Sequence, residues 1–320
     1  MIEASDLHKY FGAFHAVRGI SLHVPAGQVL ALLGPNGAGK TTTIRMLSAI
    51  LQPNRGAARI AGHDVVKEPQ IVRHKVGLLT EYPGLYARMT AVDYLLFFSQ
   101  LQGMNRHDAS ARAGQLLKRF DLWEAKDRKL DGYSKGMKQK VALIRSMLHD
   151  PPVLFLDEPT TAMDPQSART VRDAIADLRG SRRAVVLCTH NLSEAEELAD
   201  YIAVVRGGQI VAKGTAAQLT QQLLGDPLWE VRTARALNGE IVELGRMVEL
   251  EEYGDGWLRY RTRRPAEINP AVLRRLHAAG VPVVSLSEVS RSLETVYLRI
   301  VGETQPERMA GMPEVEEVVA

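Results

Sequence analysis

The sequence contains one cysteine among 320 residues, so an intramolecular disulfide is excluded and a reducing compartment is permitted. That residue, Cys188, lies in an apolar run, and we expect it to be a buried, unreactive thiol. Long apolar runs are also lacking, since the stretch at residues 94–98 is far shorter than the roughly 20 residues that cross a bilayer. The N terminus shows no basic segment followed by an apolar run, which a signal peptide would have. Any membrane role is therefore expected to come through a partner chain.

An excess of charge of one sign is missing as well. Lysine and arginine number 40 against 37 acidic residues, and the resulting net charge of +3 is too small to indicate a nucleic-acid partner. The hydrophobic fraction of 45% is that of an ordinary globular protein. The length favours one domain of ordinary size followed by a smaller one.

The motif G-x-x-x-x-G-K-T at residues 34–41 is the most informative feature that is present. It lies between an apolar, strand-like run at 29–33 and a helix-like run at 42–47, which is the context of a phosphate-binding loop. Its backbone N–H groups would surround the phosphates, Lys40 would reach the β- and γ-phosphates, and the Thr41 hydroxyl would bind Mg²⁺. The motif predicts binding of a nucleoside triphosphate. The candidate nucleotide-binding residues of this loop are Asn36, Gly37, Gly39, Lys40, Thr41 and Thr42.

Two carboxylates and a histidine follow other strand-like runs. Asp157 and Glu158 come directly after the apolar run at 153–156, and His190 follows the run at 184–187. The carboxyl ends of parallel strands meet at one edge of a sheet, where such folds bind their ligands. Asp157 would then hold Mg²⁺, and Glu158 would accept a proton from the water that attacks the γ-phosphate. The alternatives are an acidic turn for the carboxylates and a hydrogen-bonded structural residue for His190.

The chain pattern predicts an α/β protein with a parallel sheet. Residues 2–25 alternate as two strands, and Thr90 opens a helix that runs to Gly103. A further helix is expected at 108–120. The runs at 153–156 and 184–187 are typical of strands buried on both faces.

The order of these motifs resembles the nucleotide-binding domain of the ATP-binding cassette (ABC) family over roughly residues 1–220. The segment Tyr-Ser-Lys-Gly-Met-Lys-Gln at 133–139 is similar to that family's signature loop, in the form common among drug-exporting members. The resemblance implies a parallel-sheet core, an N-terminal antiparallel β part and a helical subdomain that carries the signature. It also implies that Ser134 and Gly136 complete the ATP site of a second subunit, because the signature loop does not reach the phosphate loop of its own chain.

Other roles are implied by the same resemblance. Phe11 matches the aromatic residue that stacks on adenine, with Tyr10 as a weaker candidate. Asp164, in the loop after Glu158, matches a residue that communicates with the partner subunit, and its alternative is a helix cap. His190 matches the family's switch histidine. We therefore expect Glu158 and His190 to be the catalytic residues.

The sequence departs from the family pattern at two positions. Glu81 stands where the family usually has glutamine, so it is a third candidate Mg²⁺ ligand beside Thr41 and Asp157, although it adds a negative charge there. Met137 stands where many members have glutamine, which removes one polar contact and leaves Ser134 unchanged.

The segment 228–302 is expected to form a small α+β domain. Its strands at 229–233, 248–253, 257–262 and 281–286, its helices at 239–247 and 270–279, and a further strand at 294–301 predict a ferredoxin-like sandwich. The sequence at 292–298 resembles the end of the accessory domain of drug-export members, whose role is dimer clamping or regulation. Residues 303–320 are expected to form a flexible acidic tail. Arg259, Arg261 and Arg263 form either a nucleic-acid or lipid patch or a solvated face paired with Glu249 and Glu251.

These observations together predict the ATP-hydrolysing motor subunit of an ABC exporter, with ATP and Mg²⁺ as cofactors. The expected partners are a second such domain, most simply another copy of this chain, and separate polytopic permease subunits at the cytoplasmic face of the membrane; no nucleic acid is expected. Tyr82, Leu85 and Tyr86, with the helix at 93–102, would receive the permease, unless these side chains pack within the helical subdomain. The alternatives are an ABC ATPase acting on ribosomes or DNA, and a P-loop kinase or GTPase, whose further motifs the sequence does not show.

Overall fold

The structure is a computed structural model that describes residues 1–161, 163–237 and 240–289, together with residues 293, 294 and 297. Its Cα positions divide into two compact units, Met1–Ala216 and Ala217–Ala320. In the described residues, no helix is both long enough and apolar enough to cross a membrane.

The first unit alternates strands and helices along the chain. Its strands are β1 (Ile2–Phe11), β2 (Phe14–Val24), β3 (Val29–Leu33), β4 (Arg55–Ile60), β5 (His63–Asp64), β6 (Val76–Leu79), β7 (Val153–Asp157), β8 (Ala184–Thr189), β9 (Tyr201–Arg206) and β10 (Gln209–Gly214). Its helices are α1 (Lys40–Leu47), α2 (Pro69–Lys75), α3 (Ala91–Leu101), α4 (Arg106–Arg119), α5 (Lys135–Met147), α6 (Pro165–Ala176) and α7 (Leu192–Leu198). Short 3₁₀ turns lie at Trp123–Ala125 and Leu130–Gly132.

A six-stranded sheet in the order β10-β9-β3-β8-β7-β6 forms the centre of this unit. β6, β7, β8, β3 and β9 are mutually parallel, and β10 pairs antiparallel with β9. β3, β7 and β8 are buried along their whole length, because helices or the antiparallel sheet formed by β1, β2, β4 and β5 cover both faces. The predicted parallel strands at 153–156 and 184–187 are confirmed, and their carboxyl ends lie beside that of β3.

Successive residues of the central strands face two different hydrophobic cores. Leu154 and Leu156 pack into the core that also contains Tyr94 of α3 and Phe120, the residue after α4. Val153 and Phe155 pack into the core shared with the antiparallel strands. Cys188 belongs to this second core and is fully buried, and burial raises the pKa of its thiol well above the usual value. The expected burial of this thiol is confirmed, and its low reactivity stays a prediction.

The predicted antiparallel N-terminal part is a four-stranded sheet in the order β2-β1-β4-β5. The turn at Gly12 brings β1 and β2 together, so that Phe11 lies directly opposite Phe14.

The helical part consists of α3, α4 and α5. Thr90 caps α3, since its hydroxyl accepts the N–H of Asp93 at 3.1 Å. Asn105 caps α4 in the same way. The predicted helices are confirmed, and the apolar faces of all three pack into the first core.

The second unit begins within α8 (Ala216–Leu224) and continues as β11 (Leu228–Thr233), α9 (Glu240–Gly245), β12 (Glu249–Gly254), β13 (Trp257–Arg261), α10 (Pro265–Ala278) and β14 (Val283–Glu288). The antiparallel sheet order β12-β13-β11-β14 is that of a ferredoxin-like sandwich, as predicted. Of the strand expected at 294–301, the two described positions, Glu294 and Tyr297, are helical rather than extended. The rest of that segment and the tail at 303–320 lie outside the described residues.

The arginines of β13 and the segment after it are paired with carboxylates. Arg259 contacts Glu230 at 2.8 Å and Glu252 at 3.0 Å. Arg261 forms a two-pronged pair with Glu251, and Arg263 contacts Asp226 at 2.8 Å. These pairs favour the solvated face over the nucleic-acid or lipid patch, although Glu249 is not the main partner that the sequence suggested.

Candidate functional site

The phosphate-binding loop joins β3 to α1 and is shaped by glycine. Gly39 has φ +103°, and a Cβ added there would lie 2.8 Å from the carbonyl oxygen of Ala16, so no other residue fits without displacing the backbone. Lys40, the first residue of α1, is buried, and its Nζ donates to the carbonyl oxygens of Gly34 at 2.5 Å and Pro35 at 3.2 Å. The ammonium group is therefore held inside the curve of the loop, beside the N terminus of a helix, where anions bind favourably.

Thr41 and Asp157 form a pair of oxygen donors. The Thr41 hydroxyl donates to Asp157 Oδ2 at 2.8 Å, which links α1 to the end of β7. Burial raises the pKa of Asp157, and the charges of Glu158 and Glu81 act in the same direction, whereas the Thr41 bond and Lys40 oppose them. A hydroxyl and a carboxylate are hard ligands of the kind that Mg²⁺ takes from proteins. In the described residues no group of three or more histidine, cysteine, aspartate or glutamate side chains is placed to hold a metal ion.

Glu158 and His190 lie at the ends of adjacent parallel strands. Nδ1 of His190 is 2.9 Å from Oε1 of Glu158, and the Thr161 hydroxyl donates to Oε2 at 3.1 Å. Glu158 is buried, whereas the His190 side chain is 59% exposed, so the carboxylate has a fixed position and the imidazole faces outward. The backbone of Glu158 is left-handed, with φ +51°, a conformation that costs free energy outside glycine. Such strain is typical of functional positions.

These groups surround a cleft of about 260 Å³. Of the residues predicted from the sequence, the cleft brings together Asn36, Gly37, Gly39, Lys40, Thr41, Thr42, Glu81, Asp157 and Glu158. His190 joins this group through its contact with Glu158. Phe11, Ser134, Gly136 and Asp164 are not among the residues that line the cleft.

The aromatic residue that does line the cleft is Phe14, which the sequence analysis missed. Phe14 is 61% exposed and Phe11 is 49% exposed. The two are paired across the β1–β2 turn, and directly paired residues project from the same face of a sheet. The alternation of side chains along the two strands joined at Gly12 could have identified Phe14 as the partner of Phe11. Tyr10 instead stacks on His15, with ring centroids 3.9 Å apart.

The signature segment opens α5. Ser134 caps this helix by accepting the N–H of Met137 at 3.2 Å. Gly136 faces the loop after Glu158, since an added Cβ would lie 3.8 Å from Met163 and 4.0 Å from Asp164. Asp164 in turn caps α6 by accepting the N–H of Ser167 at 2.9 Å, a bond that lowers the pKa of its carboxyl. The signature helix and the loop after Glu158 are thus neighbours in this chain.

Comparison with known proteins adds independent information. The family model described as "ABC transporter" matches residues 17–161. The daunorubicin/doxorubicin resistance ATP-binding protein DrrA of Streptomyces peucetius is 36% identical over 328 aligned positions, covering 100% of this chain and 98% of that protein. The ABC transporter ATP-binding protein NatA of Bacillus subtilis is 36% identical and covers 70% of this chain and 92% of its own length.

Solved structures agree with these matches. An ATP-binding subunit of an ABC transporter aligns with a TM-score of 0.66 at 29% identity, covering 70% of this chain and 94% of that chain. A dimeric bacterial ABC transporter cassette aligns with a TM-score of 0.62 at 22% identity, covering 67% of this chain and 98% of its own, and it supports the fold alone. The predicted fold of the first domain is confirmed.

Proposed function

Because the chain belongs to the ABC transporter ATP-binding family, we propose that it is the motor subunit of an exporter and hydrolyses ATP in the cleft between α1 and the carboxyl ends of β7 and β8. Members of this family are the ATP-hydrolysing subunits of transporters, so ATPase activity follows from membership of the family. The observation that carries the proposed site is the contact of 2.9 Å between Glu158 and His190, on the same sheet edge as Lys40 and the Thr41–Asp157 pair.

Each residue of the site has a chemical task in this proposal. Lys40 and the loop N–H groups bind the β- and γ-phosphates, and an aromatic ring of Phe11 or Phe14 packs against adenine. Thr41 and Asp157, with Glu81 nearby, would hold Mg²⁺, which neutralises developing phosphate charge when bound. Glu158 accepts the proton of the attacking water, and His190 orients the carboxylate and faces the γ-phosphate. The products are ADP and phosphate.

A second copy of this chain completes the site. Ser134 and Gly136 lie outside the cleft of their own chain and stand at a helix N terminus, which favours an anion. In the proposed homodimer they contact the γ-phosphate bound to the partner, and Asp164 lies beside Gly136 to transmit the closure. ATP then closes the dimer, because the γ-phosphate supplies contacts that only the closed state makes.

The membrane partner docks on the helical part. Tyr82 is 78% exposed, the largest value among the exposed large hydrophobic side chains of the described residues, and Leu101 on α3 is 60% exposed. Leu85 packs against the core, and Tyr86 contacts the rings of α3, so these two form the base of the docking surface rather than its rim. Through this partner the chain is held at the cytoplasmic face of the membrane.

Export is the proposed direction, because relatives whose alignments cover 94–100% of the chain are named for drug resistance. Residues 1–220 are assigned as the nucleotide-binding domain and 228–302 as an accessory domain that clamps or regulates the dimer.

The experiment is purification of the tagged chain from membranes in mild detergent, followed by mass spectrometry. A polytopic membrane protein in fixed proportion is expected. Tyr82→Ala should reduce its recovery, whereas Tyr253→Ala, an equally simple change of an exposed tyrosine in the second unit, should not. Recovery of ribosomal RNA or of soluble chains alone would contradict the transport function and leave the ATPase in place.

A further inference from the structure

A buried carboxylate outside the cleft joins the two segments that carry Glu158 and His190. Glu194, on α7, is only 1% exposed. Its Oε1 accepts a hydrogen bond from the Thr160 hydroxyl at 2.8 Å, and its Oε2 accepts one from the Thr189 hydroxyl at 2.6 Å. Both oxygens are therefore used, each by a different segment of the chain. We call these three residues the Glu194 bridge.

The two segments are those that the chemistry depends on. Thr160 is two residues after Glu158, at the start of the loop that leads to Asp164, and Thr189 directly precedes His190. The neighbouring threonine, Thr161, donates to Glu158 itself. Adjacent threonines of one loop are thus bonded to different glutamates, one in the cleft and one behind it.

The direction of the hydrogen bonds requires an acceptor at position 194. The Thr189 hydroxyl already accepts the backbone N–H of Asn191 at 3.0 Å, so its own hydrogen is directed to Glu194. An ionised carboxylate accepts at both oxygens, whereas a glutamine amide accepts at one and donates at the other. Asn191 also caps α7 by accepting the Glu194 N–H at 3.2 Å, which fixes the start of the helix. Because the site is buried, a hydroxyl left unpaired there is costly.

The Glu194 bridge also helps to hold the strained backbone of Glu158 in place. Glu158 is held at φ +51°, and its N–H donates to the carbonyl of Cys188 at 2.9 Å, which ties the end of β7 to β8. A strained conformation persists only where its surroundings fix it on several sides. The Glu194 bridge links Thr160, in the loop directly after Glu158, to Thr189 at the end of β8. It therefore acts on the position of Glu158 relative to His190.

We propose that Glu194 is a positioning residue for ATP hydrolysis, which holds Glu158 and His190 in their mutual geometry by bonding Thr160 and Thr189. This rests on the proposed function, since it assumes that the cleft hydrolyses ATP. Glu194 is not among the residues that line the cleft, and its side chain is hydrogen-bonded to Thr160 and Thr189, so we expect its effect to fall on turnover and not on nucleotide affinity. A displacement of the order of 1 Å at a catalytic group lowers turnover by about a hundredfold.

The test is steady-state phosphate release by the full chain with Mg-ATP, measured with ATP affinity and thermal melting on the same preparations. We expect Glu194→Gln to lower kcat by about ten- to a hundredfold while ATP affinity stays within about twofold. Glu196→Gln makes the same chemical change at an exposed position of the same helix and should match wild type. Thr160→Val removes one bond from a half-buried loop residue and serves if Glu194→Gln fails to fold.

A double-mutant cycle separates a shared network from general weakening. The combined Thr160→Val and Glu194→Gln variant should lose far less than the product of the two single effects. Unchanged kcat in Glu194→Gln or in Thr160→Val, or a loss of affinity equal to the loss of kcat, would overturn the positioning role. If the wild-type chain binds ATP but releases no phosphate, the proposed function itself fails. If the wild type is active and the Glu194→Gln variant is equally active, only the positioning role fails.

Discussion

Replacing Glu158 by glutamine tests the assignment of the general base. The side chain keeps its shape, so the amide can occupy the same position between His190 Nδ1 at 2.9 Å and the Thr161 hydroxyl at 3.1 Å. What is lost is the ability to take a proton from water. General base catalysis contributes about 10²- to 10⁴-fold, so kcat should fall by that factor, or about 3–5 kcal/mol in the activation free energy.

Nucleotide binding should survive this change. Lys40 and the Thr41–Asp157 pair are untouched, and removing a negative charge beside the phosphates favours binding. The protein with bound ATP should therefore accumulate in the closed, dimeric state. The assays are phosphate release, equilibrium ATP binding and light scattering with and without ATP, with Glu196→Gln as the control. Hydrolysis within about tenfold of wild type would show that another group accepts the proton and would refute the reasoning.

Three further predictions concern the dimer, pH and the second unit. Ser134→Ala and Lys40→Ala should each abolish turnover alone, yet mixing the two chains should restore part of it, because a mixed dimer has one complete site; no recovery would contradict a partner-supplied signature. Burial lowers the pKa of His149 below its usual 6.5. The unfolded chain then binds more protons in that range, so stability falls as the pH drops below 6.5, and His149→Gln should flatten that part of a plot of melting temperature against pH. Tyr260 donates to buried Asn269 at 2.7 Å, so Tyr260→Phe should lower the unfolding free energy by about 1–3 kcal/mol in urea; an unchanged midpoint would argue against that bond.

The sequence was most informative where chemistry requires a fixed local pattern. The phosphate loop needs glycines at set positions and a lysine at the helix start, so residues 34–41 alone indicated both the turn and its neighbours. Strands buried on both faces are continuous apolar runs, and these runs located β7 and β8 in the sequence. The same runs therefore located Asp157, the last residue of β7, and His190, directly after β8.

Contacts between distant segments were not predictable in the same way. In the sequence, Glu194 looks like an ordinary acidic residue in the first turn of a helix. Only the parallel pairing of β7 with β8 brings Thr160 and Thr189 together, so that both hydroxyls donate to it. Arg259 was expected to pair with its neighbours on one strand, but the sheet order places Glu230 of β11 on its other side. Such partners depend on strand order, which periodicity does not encode.

The unfavourable features of the site are concentrated at the carboxyl edge of the most deeply buried strands. Glu158 is backbone-strained, burial raises the pKa of Asp157, and Glu194 is a carboxylate with almost no exposure. Each feature reduces stability, so each must be offset by the surroundings. The offset is local: β7 and β8 pack into hydrophobic cores on both faces. The threonine hydroxyls donate hydrogen bonds to the two glutamates, and the Cys188 carbonyl accepts the N–H of the strained Glu158. The geometry of such a site depends on the packing of both cores. A substitution that loosens either core should therefore lower turnover before it unfolds the chain.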